Sequence, residues 1–206
     1  MNRNTLIIGV IIIALIGIGV TFPLWSPYFI NDVVDEAFPE FTTAELDAVR
    51  DMPEDQQTIL VEMASDSPEM ASDTARAMME EDTEMNDEMP SNEPIILSEG
   101  TFTFIDAVHN GEGTATIFQL PDDSRILRFE NFRVTNGPQL HVVLSRNNPT
   151  SIFGDIGDDY IDLGPLSGNV GNQNYEIPDD VDLEEYNTVV IYCVPFSVVF
   201  TTAPQG

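Results

Sequence analysis

The stretch that most constrains this chain is residues 188–200, TVVIYCVPFSVVF. It is dense in β-branched and aromatic residues, which favour strands. Pro195 cannot donate to a sheet ladder, so the stretch predicts a hairpin with strands at 188–194 and 196–201 and Pro195 in the turn. Because side chains alternate along a strand and both faces of the first one are apolar, we expect that strand to be central in a sandwich core.

Six further short strands are predicted upstream, separated by turn signals such as Asn136-Gly137-Pro138. Their expected ranges are 101–105, 113–120, 125–132, 140–145, 160–163 and 174–177. Repeated short strands without a helical period favour an antiparallel sandwich. We therefore predict an all-β domain, an antiparallel β-sandwich, over residues 96–206.

The N-terminus carries an uncharged apolar run at residues 6–25. A helix that crosses a bilayer needs roughly 20 such residues. Arg3 precedes the run and acidic sequence follows it, so the positive-inside rule leaves the N-terminus cytoplasmic and the rest of the chain outside. We predict a single-pass membrane anchor at residues 1–27. The alternative is a cleaved signal peptide, but the run is longer than an ordinary h-region and residues 21–25 offer no small-x-small site.

Two segments separate the anchor from the β domain. Residues 28–64 form a predicted juxtamembrane segment with two short helices, because Thr42 with Glu45 and Asp51 with Glu54 have capping-box spacing. Residues 65–95 are acidic and serine-rich and contain no aromatic residue. Such a composition buries too little apolar surface to fold, so a disordered acidic linker is predicted there.

Methionine is concentrated in and beside this linker. The six residues are Met63, Met70, Met78, Met79, Met85 and Met89. Thioethers bind Cu(I), so a copper-binding segment is one interpretation. The other is that methionine is merely frequent in a biased tract, and no histidine or cysteine accompanies the cluster.

The formal net charge is −29, and the chain contains no lysine. A protein this acidic repels nucleic acid and anionic lipid head groups. We therefore expect no nucleic-acid partner. The expected partners are the membrane, through the N-terminal helix, and an unidentified redox or cell-surface protein. The single cysteine, Cys193, allows no internal disulfide.

Two other groups of residues suggest metal chemistry. One group could in principle bind a metal or haem through two histidines and a cysteine: His109, His141 and Cys193. These residues follow no ligand spacing, and the alternative is that His109 is an ordinary turn residue and His141 an ordinary strand residue. The acidic loop 153–159, FGDIGDD, has carboxylates suited to Ca²⁺ but lacks the EF-hand pattern, and a solvated loop is the alternative. We therefore assign neither a metal nor a cofactor.

Five parts of the chain resemble the DM-thirteen domain, an electron-transfer-type module often found beside DOMON domains. They are GTF at 100–102, LRFENF at 127–132, GPQLHVVL at 137–144, LGPL at 163–166 with GNQNYEIP at 171–178, and YNTVVIYC at 186–193 with FSVVF at 196–200. The resemblance implies an all-β, largely extracytoplasmic domain. Three positions differ, since Gln139, Tyr192 and Ser167 stand where the family more often has an acid, Trp and Lys.

The resemblance also implies that Cys193 corresponds to a cysteine proposed to act in redox chemistry. A redox cysteine needs exposure and nearby positive charge, because the thiolate is the reactive form. The sequence places Cys193 near a strand end with no adjacent Lys, Arg or His, which equally suits an inert core thiol. Two functions follow: an extracytoplasmic redox module using Cys193, or a non-catalytic cell-surface binding or structural module. An enzyme ranks third because no catalytic motif is visible.

The anchor hypothesis predicts that protease added to intact cells digests the β domain. A domain that stays protected would contradict the topology. A domain released into the medium with a new N-terminus near residue 22 would show a cleaved signal peptide instead.

Overall fold

The computed structural model describes residues 43–89 and 94–206, all within one compact unit of residues 41–206. Three helices precede nine strands. The helices are α1 (Thr43–Asp51), α2 (Glu54–Asp66) and α3 (Pro68–Met78). The strands are β1 (Glu84–Asn86), β2 (Ile95–Thr101), β3 (Gly111–Gln119), β4 (Arg125–Val134), β5 (Leu140–Ser145), β6 (Ile161–Pro165), β7 (Val170–Ile177), β8 (Thr188–Cys193) and β9 (Val198–Pro204).

The predicted membrane anchor, residues 1–27, lies outside the described residues. Within residues 43–89 and 94–206, no helix combines the length and the apolar character needed to cross a membrane.

The strands form two sheets. The first has the order β1-β7-β4-β3-β2, and the second has the order β6-β5-β8-β9. All neighbours are antiparallel except β1 and β7, which run parallel. The predicted, predominantly antiparallel all-β architecture is thus confirmed, with one parallel edge strand and three short helices added to it.

One apolar core joins the two sheets. Phe129 and Phe132 of β4 have ring centroids 4.7 Å apart, and Phe102 packs edge-on against Phe129 at 5.0 Å. Val189 and Ile191 of β8 belong to the same buried cluster. Edge-to-face aromatic pairs contribute beyond their buried area, so this cluster is a strong link between the sheets.

The β8–β9 hairpin is confirmed, with Pro195 in the connecting turn. Strand β8 lies between β5 and β9, and all six of its residues are buried, as expected for a central strand. The strand predicted at 101–105 is wrong in position. Strand β2 begins at Ile95, because Ile95 and the residues after it pair with β3, whereas Thr103 donates its backbone N–H to Thr202 of β9.

The two predicted short helices are present as α1 and α2. Helix α2 begins later than its capping box indicated, since Pro53 rather than Asp51 occupies the N-cap and no side chain caps the helix. A third helix was not predicted. Ser67 caps α3 by accepting a hydrogen bond from the Met70 backbone N–H at 3.3 Å, and Pro68 occupies its first turn.

The disordered linker predicted over residues 65–95 is corrected by the structure, because helix α3 and strand β1 lie within that range. Composition pointed to disorder since the segment has few large apolar residues. Helix α3 instead buries a row of small side chains, including Ala71 and Ala75, in a core that the rest of the chain supplies.

Strand β1 belongs to a segment, residues 82–88, that we call the strap. Gly171 of β7 has φ +102°, and a Cβ at this position would collide with the Met85 carbonyl oxygen. Only glycine therefore permits both the backbone conformation and the close approach of β1. The strap is also held by side chains, since Asp87 accepts a hydrogen bond from the Asn174 backbone N–H at 3.0 Å.

Gly171→Ala should destabilise the protein more than Gly164→Ala. Both positions have positive φ, so both variants carry the backbone strain, of order 1–3 kcal/mol. A Cβ at Gly164 meets nothing within 4 Å, whereas at Gly171 it also displaces the strap. Urea melts of the two variants measure the difference, and equal losses of stability would contradict the role given to the β1–β7 contact.

Candidate functional site

Cys193 is the last residue of β8 and is 1% exposed. Its side chain lies on the inner face of the strand, in the same cluster as Val189 and Ile191. The thiol donates a hydrogen bond to the Pro138 carbonyl oxygen, with a sulfur-to-oxygen distance of 3.1 Å. The predicted redox residue is therefore a buried, hydrogen-bonded thiol at the end of a central strand.

The surroundings of Cys193 disfavour the thiolate. Burial raises the pKa of the thiol from 9.0 to about 11. A hydrogen bond from the Phe196 backbone N–H opposes this and lowers the pKa, and the Asp73 carboxylate of α3, the smallest of the three effects, raises it. A thiolate would lose its hydration and face a negative charge, so the neutral thiol dominates near pH 7.

The loop that holds the Pro138 carbonyl is fixed from two sides. Gly137 packs so closely against the Phe200 ring that a Cβ there would collide with it. Gln139 has φ +45°, and its carbonyl oxygen accepts a hydrogen bond from the Val194 backbone N–H at 3.4 Å. The turn after Cys193 and the loop beneath it thus position each other.

Helices α2 and α3, which we call the cover, pack against the apolar core of the sandwich. Their buried apolar side chains belong to the same core cluster as Cys193; these are Leu60, Met63, Met70, Ala71 and Ala75. Gln56 of α2 donates a hydrogen bond to the Ala107 carbonyl oxygen at 3.3 Å. The sequence did not predict that helices would contribute to the environment of the cysteine.

His109 and Asp106 form a second polar feature at this end. His109 is fully buried, and its Nδ1 lies 3.0 Å from both carboxylate oxygens of Asp106. Burial acts to raise the pKa of the Asp106 carboxyl, but hydrogen bonds and the charge of His109 outweigh it and hold the pKa below its ordinary value. The His109 ring packs edge-on against Phe200 at 4.7 Å, and its Nε2 is buried without a hydrogen-bond partner among the described residues.

The structure places His141 in a different setting. Its Nδ1 lies 2.9 Å from a carboxylate oxygen of Asp162 at the surface, where β5 meets β6. Within the part of the chain that the structure describes, no three His, Cys, Asp or Glu side chains form a group that could hold a metal ion. The histidines and Cys193 are therefore not brought together as a ligand set there.

The acidic loop at 153–159 covers the outer face of β8. Ile156 is buried with Val190 and Tyr192 of that strand. Asp155 accepts a hydrogen bond from the Gly157 backbone N–H at 2.7 Å, and the Asp159 carboxylate is 3.1 Å from Arg146. The packing of Ile156 accounts for the position of the loop, and the calcium hypothesis stays a prediction.

The methionines occupy several settings. Met63 and Met70 are buried in the cover and line a cavity of about 360 Å³ that also reaches Asp106. Met85 lies in β1, and Met89 is 37% exposed. Packing accounts for the two most buried methionines, and the copper hypothesis stays a prediction.

Two features of the site had no sequence prediction. The Asp106–His109 contact lies in an Asx turn, in which Asp106 accepts a hydrogen bond from the backbone N–H of Val108, two residues on, and another from that of His109. That spacing is a usable signal. The position of Asp73 near Cys193 carries no such signal, because 120 residues separate the two and only the docking of α3 brings them together.

Raising the pH from about 9 to about 11 should destabilise the wild-type protein more than Cys193→Ser. The folded thiol has the higher pKa, so the unfolded chain loses its proton first. The protonated Cys193 thiol therefore contributes fully to the free energy of unfolding below pH 9, and this contribution is lost as the pH rises towards 11. The wild-type protein should lose about 2–3 kcal/mol more of its free energy of unfolding than Cys193→Ser does.

Urea melts across this pH range measure the effect. Burial also raises the pKa of Tyr175, but that contribution is common to both proteins and cancels in the comparison. Parallel stability curves would contradict the raised pKa of Cys193.

Comparison with known proteins identifies one family. The family model described as "Electron transfer DM13" matches residues 103–204, a range that contains β3 to β9 and Cys193. No curated protein and no solved structure matches the chain. Strand β1, strand β2 and the cover lie outside the matched range. Residues 103–204, which carry Cys193, are thus a domain of the DM13 electron-transfer family.

Proposed function

We propose that this protein is a membrane-anchored, extracytoplasmic electron-transfer module in which Cys193 is the redox-active group. The observation that carries the proposal is the position of the only cysteine, at the end of β8 within the DM13 domain. The apolar run at residues 6–25, with Arg3 before it, supports membrane attachment with the domain outside.

Buried as it is, Cys193 cannot meet an oxidant or a protein partner directly. Its thiol is neutral near pH 7 and is bonded to the Pro138 carbonyl oxygen. Redox activity therefore requires a conformational opening that exposes the thiol to water and lowers its pKa towards the ordinary value.

The chemistry can be probed with hydrogen peroxide. The Cys193 thiolate attacks one peroxide oxygen, an S–O bond forms, and the O–O bond breaks. The departing hydroxide takes up a proton to become water, leaving a sulfenic acid on Cys193. A small thiol then condenses with the sulfenic acid to form a mixed disulfide and water, and a second thiol molecule releases Cys193 as the free thiol.

The second candidate is a non-catalytic binding or structural module at the cell surface. The observation that favours it is the environment of Cys193, which is 1% exposed and whose thiolate is disfavoured by burial and by the carboxylate of Asp73. In that case Cys193 acts as a small apolar core residue.

The discriminating experiment exposes the intact chain, in detergent micelles and without denaturant, to hydrogen peroxide and then to a reagent specific for sulfenic acid. A redox module gains one modified site, which a small thiol reverses. Cys193→Ser is the control, since it removes the only cysteine. Absence of oxidation until the protein unfolds would retire the redox role and favour the non-catalytic module.

A further inference from the structure

The cavity of about 360 Å³ that contains Met63 and Met70 in its lining is bounded by the cover on one side and by two loops of the sandwich on the other. Pockets for small molecules have volumes of about 300–1,000 Å³. We propose that this cavity binds a small organic cation, whose apolar body packs against the methionines and whose protonated nitrogen lies at the surrounding carboxylates. The inference goes beyond the proposed redox role of Cys193 and does not depend on it.

The apolar part of the lining suits the body of such a ligand. Met63 and Met70 are each 4% exposed, and Ile59 and Ile152 pack against the same core cluster. Phe153 also lines the cavity and is 59% exposed. Methionine side chains adapt to the shape of a bound group, and the face of an aromatic ring attracts a cation. The lining therefore offers buried apolar contacts and one accessible aromatic ring.

Two of the three carboxylates at the cavity belong to α2. Glu62 and Asp66 are exposed, and no hydrogen bond or ion pair within the described residues engages their side chains. Like charges four residues apart on a helix repel each other. Asp66 is also the last residue of α2, whose last turn contains no basic residue, so the partial negative charge of the helix C-terminus adds to the two carboxylates. A cation bound here relieves this repulsion.

The third carboxylate, that of Asp106, comes from the sandwich. Burial opposes its ionisation, but hydrogen bonds and the charge of His109 outweigh burial and hold the pKa of Asp106 below its ordinary value. Its side chain is 24% exposed and contributes to the lining of the cavity. Negative charge therefore faces the cavity from both the helix and the loop.

The described part of the chain supplies no arginine to balance these charges at the cavity. Each arginine in that part of the chain contacts groups elsewhere; these are Arg50, Arg76, Arg125, Arg128, Arg133 and Arg146. Among the same residues, no three His, Cys, Asp or Glu side chains form a group that could hold a metal ion. Carboxylates that are separated by apolar side chains suit an organic cation with an apolar body better than a bare metal ion.

The first test titrates the intact chain, labelled with ¹³C at the methionine methyl groups and held in nonionic detergent micelles, with phenylethylamine. An aromatic ring shifts the resonance of a nearby methyl group, so the signals of Met63 and Met70 should move saturably. The signal of Met89, which does not line the cavity, should stay in place. Absence of saturable shifts at Met63 and Met70 would overturn the proposal.

Phenylethanol, which has the same ring and no charge, is the matched probe. It should bind at least about tenfold more weakly, because it lacks the group that the carboxylates attract. Equal affinity for the amine and the alcohol would show a purely apolar site and overturn the recognition of a cation.

The second test removes the two carboxylates of α2. Glu62→Gln combined with Asp66→Asn should weaken the binding of phenylethylamine about fivefold or more at low ionic strength, since each exposed charge contributes modestly. The control, Glu54→Gln combined with Asp55→Asn, makes the same chemical change at exposed positions of α2 that do not line the cavity. It should alter the affinity by less than about twofold. Equal weakening in both variants would indicate general attraction to an acidic protein and overturn the site.

The third test compares two exposed aromatic residues. Phe153→Ala should weaken binding at least about threefold, because it removes the ring at the cavity. Phe104 is 71% exposed and does not line the cavity, so Phe104→Ala should leave the affinity unchanged. Indistinguishable affinities in the two variants would contradict the placement of the ligand beside Phe153.

A competition experiment separates a small molecule from the basic side chain of a protein partner. N-acetyl-lysine amide carries the ammonium group on an alkyl stem without a ring. If the cavity recognises a small organic cation with an apolar body, an excess of about tenfold should not displace phenylethylamine. Displacement at an equal or lower concentration would assign the cavity to a lysine side chain and overturn the proposal.

Discussion

Burial of β8 on both faces is the constraint on which the rest of the structure depends. Its inner face, with Val189, Ile191 and Cys193, packs in the core shared by the two sheets. Its outer face, with Val190 and Tyr192, is covered by the loop that carries Ile156. An apolar strand of this kind must be covered on both sides, so the first sheet and the long loop before β6 both serve to bury it.

The same burial decides the state of the cysteine. A thiol at the end of a fully buried strand stabilises the fold as a small apolar group, and its pKa rises because the charged form would lose its hydration. Stability and reactivity therefore place opposite demands on Cys193.

The acidic N-terminal segment becomes part of the fold through specific contacts with the sandwich. Arg128 donates to the Asp87 carbonyl oxygen at 3.2 Å, and Arg133 pairs with Asp82. Two basic residues of β4 thus hold the acidic strap against the sheet. In a chain with a net charge of −29, arginines at these positions relieve repulsion locally and fix the register of β1.

Local patterns account for what was predictable. Dense β-branched residues around Pro195 predicted the β8–β9 hairpin, and the apolar run at 140–145 matched β5 in its bounds. The cysteine was identified as the candidate site because the resemblance to the DM13 family aligns it with a cysteine proposed to act in redox chemistry. Strand β2 was misplaced because the first strand was expected only from residue 101, although β3 supplies the partner that makes a strand of the residues from Ile95 onward.

The sequence by itself determined the β-rich class of the C-terminal half, its central hairpin and the identity of the only thiol, because these depend on side-chain alternation, proline chemistry and residue counts. Only the tertiary structure decided that residues 68–78 form a helix, that Asp73 lies near Cys193, and that the thiol is covered. The physical reason is that α3 buries small side chains in a core formed by distant residues. Its stability therefore comes from docking, which no local pattern in an acidic, alanine-rich segment reveals.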